Sequence, residues 1–253
     1  MNSVYAIRRE ICEVGRRIYQ RGFVAANDGN ISVRLDAERI LCTPTGVSKG
    51  FLSEDMLATC NLEGEQVAGQ MKISSEILLH LEVYRLRPDI QAVVHAHPPT
   101  ATGFAVAGIE LTQCVLPEVI LNLGGIPLAA YGTPGGPDLV EPMKPLLKDY
   151  DAVLMANHGA VTLGKDVMDA HFKMETVEHF SKIALVARQL GAVQTLTDQQ
   201  VDDLIQLRQR FGVGARPSCA PGEVEPNGDD SVTHGNLIEE ITRQVMLKLQ
   251  SAG

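Results

Sequence analysis

Apolar residues recur along the chain with two periods, and the changes between them mark the elements. Val4, Ile7, Ile11, Val14 and Ile18 are spaced by three and four, which predicts an amphipathic helix over about residues 3–20, closed by Gly22. The period then drops to two. Ile31, Val33 and Leu35 alternate with polar residues and predict a strand, with 39–42 as its hairpin partner and a further short strand over 56–61. Leu78, Leu79, Leu81 and Leu86 supply the core face of a helix that must end before Pro88. Residues 90–97 form an apolar run that predicts a strand. A helix of small residues is expected over 100–107, and the stretch 138–147 is expected to be helical in parts, interrupted by Pro142 and Pro145. Apolar runs at 152–156 and 160–163 flank Asn157-His158-Gly159, and helical spacing resumes over 166–190 and 198–210.

Beyond residue 211 the pattern fails. Pro, Gly, Ser, Asn and Asp dominate from 212 to 235 without a period, the signature of a flexible linker. Leu237, Ile238, Ile241, Val245 and Leu249 then restore an apolar helical stripe. A helix that short needs a surface to dock on. The expected organisation is one domain over 1–211, a linker over 212–235 and a terminal amphipathic helix over 236–253.

Composition narrows the function classes. The 253 residues carry 22 basic and 31 acidic side chains, a net charge of -9, which argues against a nucleic-acid surface. A phosphorylated ligand stays open, because backbone N–H groups and a metal can hold a phosphate without a basic patch. The five cysteines are scattered, without a C-x-x-C, and read as reduced thiols of a cytoplasmic protein. Arg8, Arg9 and Glu10 leave no apolar leader near the N-terminus, and no run approaches a membrane span.

The candidate chemistry gathers at strand ends. The run Val93-Val94-His95-Ala96-His97 places two imidazoles on one face, about 7 Å apart along a strand. Such a pair suits a divalent metal, and a catalytic site commonly adds a third protein ligand. His158, after its own apolar run, is the best candidate. Ser74 or Ser75 is a good N-cap for the second long helix, with Glu76 expected in its first turn; the start reads either as a plain cap or as an anion site with a carboxylate beside it. The Gly-containing turns Asp28-Gly29-Asn30 and Thr43-Pro44-Thr45-Gly46 can bring Asn30 and Thr45 to the same anion. His80, His171 and His179 read as packing or surface side chains.

Asp28-Gly29-Asn30-Ile31-Ser32, Thr43-Pro44-Thr45-Gly46, Ser74-Ser75-Glu76, Arg87-Pro88-Asp89, Val93-Val94-His95-Ala96-His97 and Asn157-His158-Gly159 occur in the order found in the class II aldolase/adducin family. The chain resembles the branch of that family that cleaves L-fuculose 1-phosphate, over roughly residues 4–190. The resemblance implies an α/β fold with a central, mostly antiparallel β-sheet sandwiched by helices in three layers. It implies one Zn2+ per subunit on His95, His97 and His158. Glu76 matches the acid/base carboxylate, and Asn30, Thr45, Gly46, Ser74 and Ser75 match the phosphate cradle. Asn27 stands where the aldolase has a cradle threonine. Glu118 stands where it has a tyrosine acid, six residues before a Gly-Gly.

The implied reaction is cleavage of L-fuculose 1-phosphate or L-rhamnulose 1-phosphate to dihydroxyacetone phosphate and L-lactaldehyde, in a cytoplasmic homotetramer. The linker and terminal helix are similar to encapsulation peptides, with 236–250 docking on a bacterial microcompartment shell protein. Two other functions fit the motifs. One is decarboxylation of a 3-oxo-tetronate 4-phosphate on the same site. The other is a non-catalytic adducin-like module, against which the intact histidines and Glu76 argue. A pentulose-phosphate 4-epimerase fits less well, because that branch resembles an aspartate where this chain has Glu76.

Overall fold

The alternating segment at residues 30–35 forms β1 (Asn30–Arg34), which pairs antiparallel with β2 (Ile40–Cys42) on one side and β5 (Ala92–Ala96) on the other. Outside β2 lie β3 (Ala58–Cys60) and β4 (Gln66–Ala68). Outside β5 lie β8 (Gly159–Gly164), β7 (Ala152–Met155) and β6 (Leu128–Ala129). The eight strands run in the order β4-β3-β2-β1-β5-β8-β7-β6, antiparallel except for β6 with β7. The structure is a computed structural model that describes residues 3–210, within one compact unit. The linker expected over 212–235 and the helix expected over 236–253 lie outside the described residues.

Both faces of the sheet are covered, which makes the three-layer α/β/α arrangement expected from the sequence. On one face Ile31, Val33, Ala92, Val94, Ala96 and Leu154 pack in a cluster with residues of α1 (Val4–Gln20), α3 (Pro99–Val106) and α7 (Val167–Gln189). On the other, Val93, Val153 and Val161 meet α2 (Ile77–Leu86), α5 (Pro137–Val140) and α6 (Lys144–Leu147). The period of two sends alternate residues to opposite layers. The first two polar positions of β1 therefore do not reach solvent: Asn30 and Ser32 are buried against the α2 layer. Among the described residues no helix is long and apolar enough to cross a membrane.

Three local details differ from the sequence-based expectation. Helix α2 starts at Ile77, with Glu76 in the N-cap position at φ -99° and ψ 14°. Neither serine caps the helix; Ser74 Oγ instead accepts from the Glu76 N–H at 3.3 Å. Glu76 thus stands outside the helix, and its carboxylate turns towards the histidines. Strand β5 stops at Ala96, so His97 lies just beyond it. His80 is buried, the packing placement that the sequence allowed. Cys12, Cys42 and Cys60 are free, but Cys114 is disulfide-bonded, against the expectation that all thiols are reduced.

Helix α3 begins right after His97-Pro98, and α7 fixes that start. The buried Glu178 carboxylate accepts from Thr100 N at 3.0 Å, Thr100 Oγ1 at 2.9 Å and Ala101 N at 2.9 Å. Free N–H groups at a helix start and the helix dipole both favour a carboxylate there.

Candidate metal centre

His95 belongs to the last turnless stretch of β5, His97 follows the strand, and His158 sits in the turn joining β7 to β8. Register brings them together: Ala96 faces Ala160 across β5 and β8, and Met155 faces Gly159 across β7 and β8. The turn is tight, with Asn157 at φ 57° and His158 N donating to Met155 O at 3.0 Å. Two glycines give the histidines room. A Cβ on Gly159 would stand 2.5 Å from His97 Cδ2, and one on Gly29, at φ +73°, would stand 2.8 Å from His95 O.

The three rings meet edge to face, with centroids 4.8 to 5.1 Å apart. His95 Nδ1–H donates to Ala160 O at 2.9 Å, which leaves Nε2 as a bare lone pair. Asp28 Oδ2 lies 3.6 Å from His97 Nδ1 and favours the proton there, so His97 Nε2 is bare as well. These two Nε2 atoms face each other at 3.1 Å. Two lone pairs at that distance call for a cation between them. Glu76 adds a carboxylate, with Oε2 3.4 Å from His95 Nε2 and Oε1 3.2 Å from His158 Nε2. Ligand atoms about 2.0–2.1 Å from a tetrahedral ion stand roughly 3.3 Å from one another, so the donor set fits a divalent metal. Among the described residues, His95, His97 and His158 form the one group of three such side chains able to hold an ion.

The electrostatics agree. Burial pushes His95 down to about 3, helped by His97 and His158 and opposed by Glu76. Burial also lowers His97. Neutral imidazoles are the ligand form. For Glu76 burial acts to raise the pKa, but the hydrogen bond to His158, the closeness of the His95 and His158 rings and the Asn30 amide outweigh it and hold the carboxyl below its ordinary range.

The remaining expected residues fall in three places. Thr45 and Gly46 lie on an exposed loop tied to the loop before α2: Thr45 N donates to Lys72 O at 2.9 Å, and Pro44 bridges Ile73. Ser74 and Ser75 continue that second loop to Glu76, so the two loops meet on the chain segment that leads to the carboxylate. Asn30 faces the centre differently, with Nδ2 donating to Glu76 Oε2 at 2.8 Å. Glu118 is apart. It stands in the first turn of α4 (Pro117–Asn122) and lines a cleft of about 530 Å3 with Arg21, Asn122, Phe172, Glu175 and His179.

Sequence patterns did not single out Lys49. It is buried, and Nζ donates to Asn27 O at 2.9 Å and Val47 O at 2.6 Å, lacing together the loops that carry Asn30 and Thr45. Burial lowers its pKa to about 8, against the opposing pull of Asp28 and Glu76. The only signal was a lysine in a Val-Ser-Lys-Gly turn, which reads as solvent-exposed.

Residues 9–185 match the family model described as Class II Aldolase and Adducin N-terminal domain. The chain is 34% identical over 196 residues to a 3-oxo-tetronate 4-phosphate decarboxylase of Haemophilus influenzae, covering 76% of this chain and 92% of the relative. It is 35% identical over 179 residues to an L-fuculose phosphate aldolase of Methanocaldococcus jannaschii, covering 71% and 96%. The crystal structure of YgbL from Klebsiella pneumoniae, a candidate aldolase/epimerase/decarboxylase, superposes with a TM-score of 0.75 at 28% identity, covering 81% of this chain and all of that one.

Proposed function

The chain belongs to the class II aldolase and adducin family, and from that premise we propose that it is a zinc-dependent aldolase cleaving a ketose 1-phosphate. L-fuculose 1-phosphate and L-rhamnulose 1-phosphate are the proposed substrates, with dihydroxyacetone phosphate and L-lactaldehyde as products. The observation that carries this reading is the placement of Glu76: a carboxylate within 3.4 Å of two of three clustered imidazoles, at the end of a hydroxyl-bearing loop. A non-catalytic module has no use for that cluster.

Zinc held by His95, His97 and His158 would supply Lewis-acid stabilisation of the negative charge that develops as the carbon–carbon bond breaks. In cleavage the ionised Glu76 takes the proton of the hydroxyl that becomes the aldehyde carbonyl and delivers a proton to the carbon bearing that charge. Thr45, Gly46, Ser74 and Ser75 offer hydroxyl and backbone N–H donors to the phosphate, and the buried Lys49 ammonium beneath their loops adds positive charge. Holding the phosphate fixes the reacting carbons over the histidines.

Decarboxylation of a 3-oxo-tetronate 4-phosphate is the second reading, since it needs the same stabilised charge. Glu118 favours it, because the resembling aldolases carry a tyrosine acid at that position. Glu118 enters either reaction only if a neighbouring subunit presents it, which accords with the proposed homotetramer. Residues 236–250 are proposed as the segment that addresses the enzyme to a microcompartment shell protein.

The test is a coupled assay for dihydroxyacetone phosphate, with both ketose phosphates and with 3-oxo-tetronate 4-phosphate assayed for carbon dioxide release. Chelator-sensitive release of dihydroxyacetone phosphate supports the aldolase. Release of carbon dioxide alone moves the assignment to the decarboxylase. A metal-loaded protein inert towards all three would remove both.

A further inference from the structure

Behind Glu76 runs a file of buried polar side chains drawn from β1 and α2. Asn30 Nδ2 donates to Glu76 Oε2 at 2.8 Å. The other end of the same amide, Oδ1, makes a short hydrogen bond with His80 Nε2. His80 Nδ1 lies 2.7 Å from Ser32 Oγ, which lies 2.8 Å from the Tyr84 hydroxyl. Asn30, Ser32, His80 and Tyr84 are each at most 5% exposed, so water does not stand in for any link.

The direction of every bond follows from the first. An ionised carboxylate only accepts, so Asn30 must turn its NH2 to Glu76 and its carbonyl to His80. The carbonyl then requires Nε2–H. A neutral imidazole carries one ring proton, so Nδ1 is bare and accepts the Ser32 O–H. Ser32 has no second proton, so its oxygen accepts from the Tyr84 O–H. Burial, which pushes His80 down to about 4 and raises Tyr84, keeps the imidazole neutral and the phenol protonated.

We infer that His80 is a positioning residue: acting through Asn30, it keeps the amide donor on Glu76, so that the carboxylate faces the histidines as a base. An asparagine side chain can rotate half a turn with almost no change in shape. Flipped, its carbonyl would oppose the carboxylate at hydrogen-bonding distance and push Glu76 aside. Shape cannot prevent that flip; the His80 tautomer can, and Ser32 with Tyr84 favours that tautomer, because reversing the file would cost the buried Tyr84 O–H its Ser32 acceptor. This inference deepens the proposed function and rests on Glu76 being its base.

The test begins with the tautomer. Full-length protein labelled with 15N-histidine is examined by NMR, metal-free and zinc-loaded, and the His80 signals are assigned by their absence from a His80→Gln variant. A neutral ring protonated at Nε2 is expected in both states. A proton at Nδ1, or a charged ring at neutral pH, overturns the inference whatever the substrate proves to be. Kinetics on the substrate found in the coupled assay form the second arm. His80→Leu should lower kcat by about tenfold to a hundredfold, the effect of one lost buried hydrogen bond, with KM and zinc content little changed. His80→Gln, whose amide can still donate to Asn30, should recover most of that loss. Equal losses in the two variants, or none, would reduce His80 to packing. Should His80→Leu not fold, Tyr84→Phe removes only the terminal hydroxyl, and a measurable Nδ1-protonated population is expected; an unchanged tautomer would count against the relay. If no sugar phosphate is turned over, the proposed function falls while the NMR result still decides the tautomer.

Discussion

Glu178 and Glu76 are both largely buried carboxylates beside the first residues of a helix, yet their surroundings differ in kind. Glu178 takes hydrogens from Thr100 N, Thr100 Oγ1 and Ala101 N, and Lys182 Nζ stands 3.3 Å away. All those partners belong to the architecture. Glu76 receives one amide hydrogen from Asn30 and otherwise faces imidazoles. An ionised carboxylate has about four acceptor sites. In Glu178 they are filled by the fold; in Glu76 most face imidazoles instead, as the proposed base requires. Burial alone therefore does not distinguish a structural acid from a reactive one, and the identity of the donors does.

The contrast can be broken most forcefully at the histidines. His95→Ala should reduce metal stoichiometry to near zero by elemental analysis and turnover to background. Next comes Glu76→Gln, which keeps three imidazoles and should keep the metal, yet should lose about a hundredfold to ten-thousandfold in kcat with little change in thermal midpoint. Near-normal turnover in that variant would erase the difference between the two acids. Glu178→Gln should do the reverse. It weakens the anchoring of α3 and should cost about 1–3 kcal/mol in denaturant unfolding, while each folded molecule works at close to the parental rate.

The smallest expected effect concerns pH. The Lys49 ammonium has its pKa lowered from 10.5 to about 8 in the folded chain. Between those values the unfolded chain binds more protons, so stability attributable to Lys49 rises with pH across that window and its burial penalty is complete below pH 8. Relative to Lys49→Met, the parental protein should gain stability from pH 8 to 10.5. A flat difference would mean that the Lys49 amine is hydrated, and that the loops of the Glu76 corner are not laced by it.

Much of this is legible in the sequence. Periodicity located the long helices and the central strands, and the two apolar runs ending in His95 and His158 marked the metal cluster, because strand ends are where a rigid sheet hands side chains to a site. What stayed hidden depended on partners distant in sequence. Glu178 is 77 residues from Ala101, and in the sequence it is one acid among several on a charged helix face. His80 read as packing because its partners, Ser32 and Asn30, lie 48 and 50 residues away. The serine pair before Glu76 pointed to a cap. Local propensity could not reveal that the helix would begin one residue after the carboxylate, where the carboxylate is free to turn.

The strand order carries a consequence for how the protein comes into being. Strand β5 lies between β1 and β8, and His95 reaches its partner Ala160 across 65 residues. Closing such a distance is slow relative to local pairing. A nascent chain that has not yet delivered Gly159–Gly164 leaves β5 as an apolar edge strand, a template for pairing with other chains. Metal binding needs His158 from the same late segment. Uptake of the ion can then begin only once the central edge is covered, so metal capture would report the end of folding and, by mass action, hold the finished fold in place.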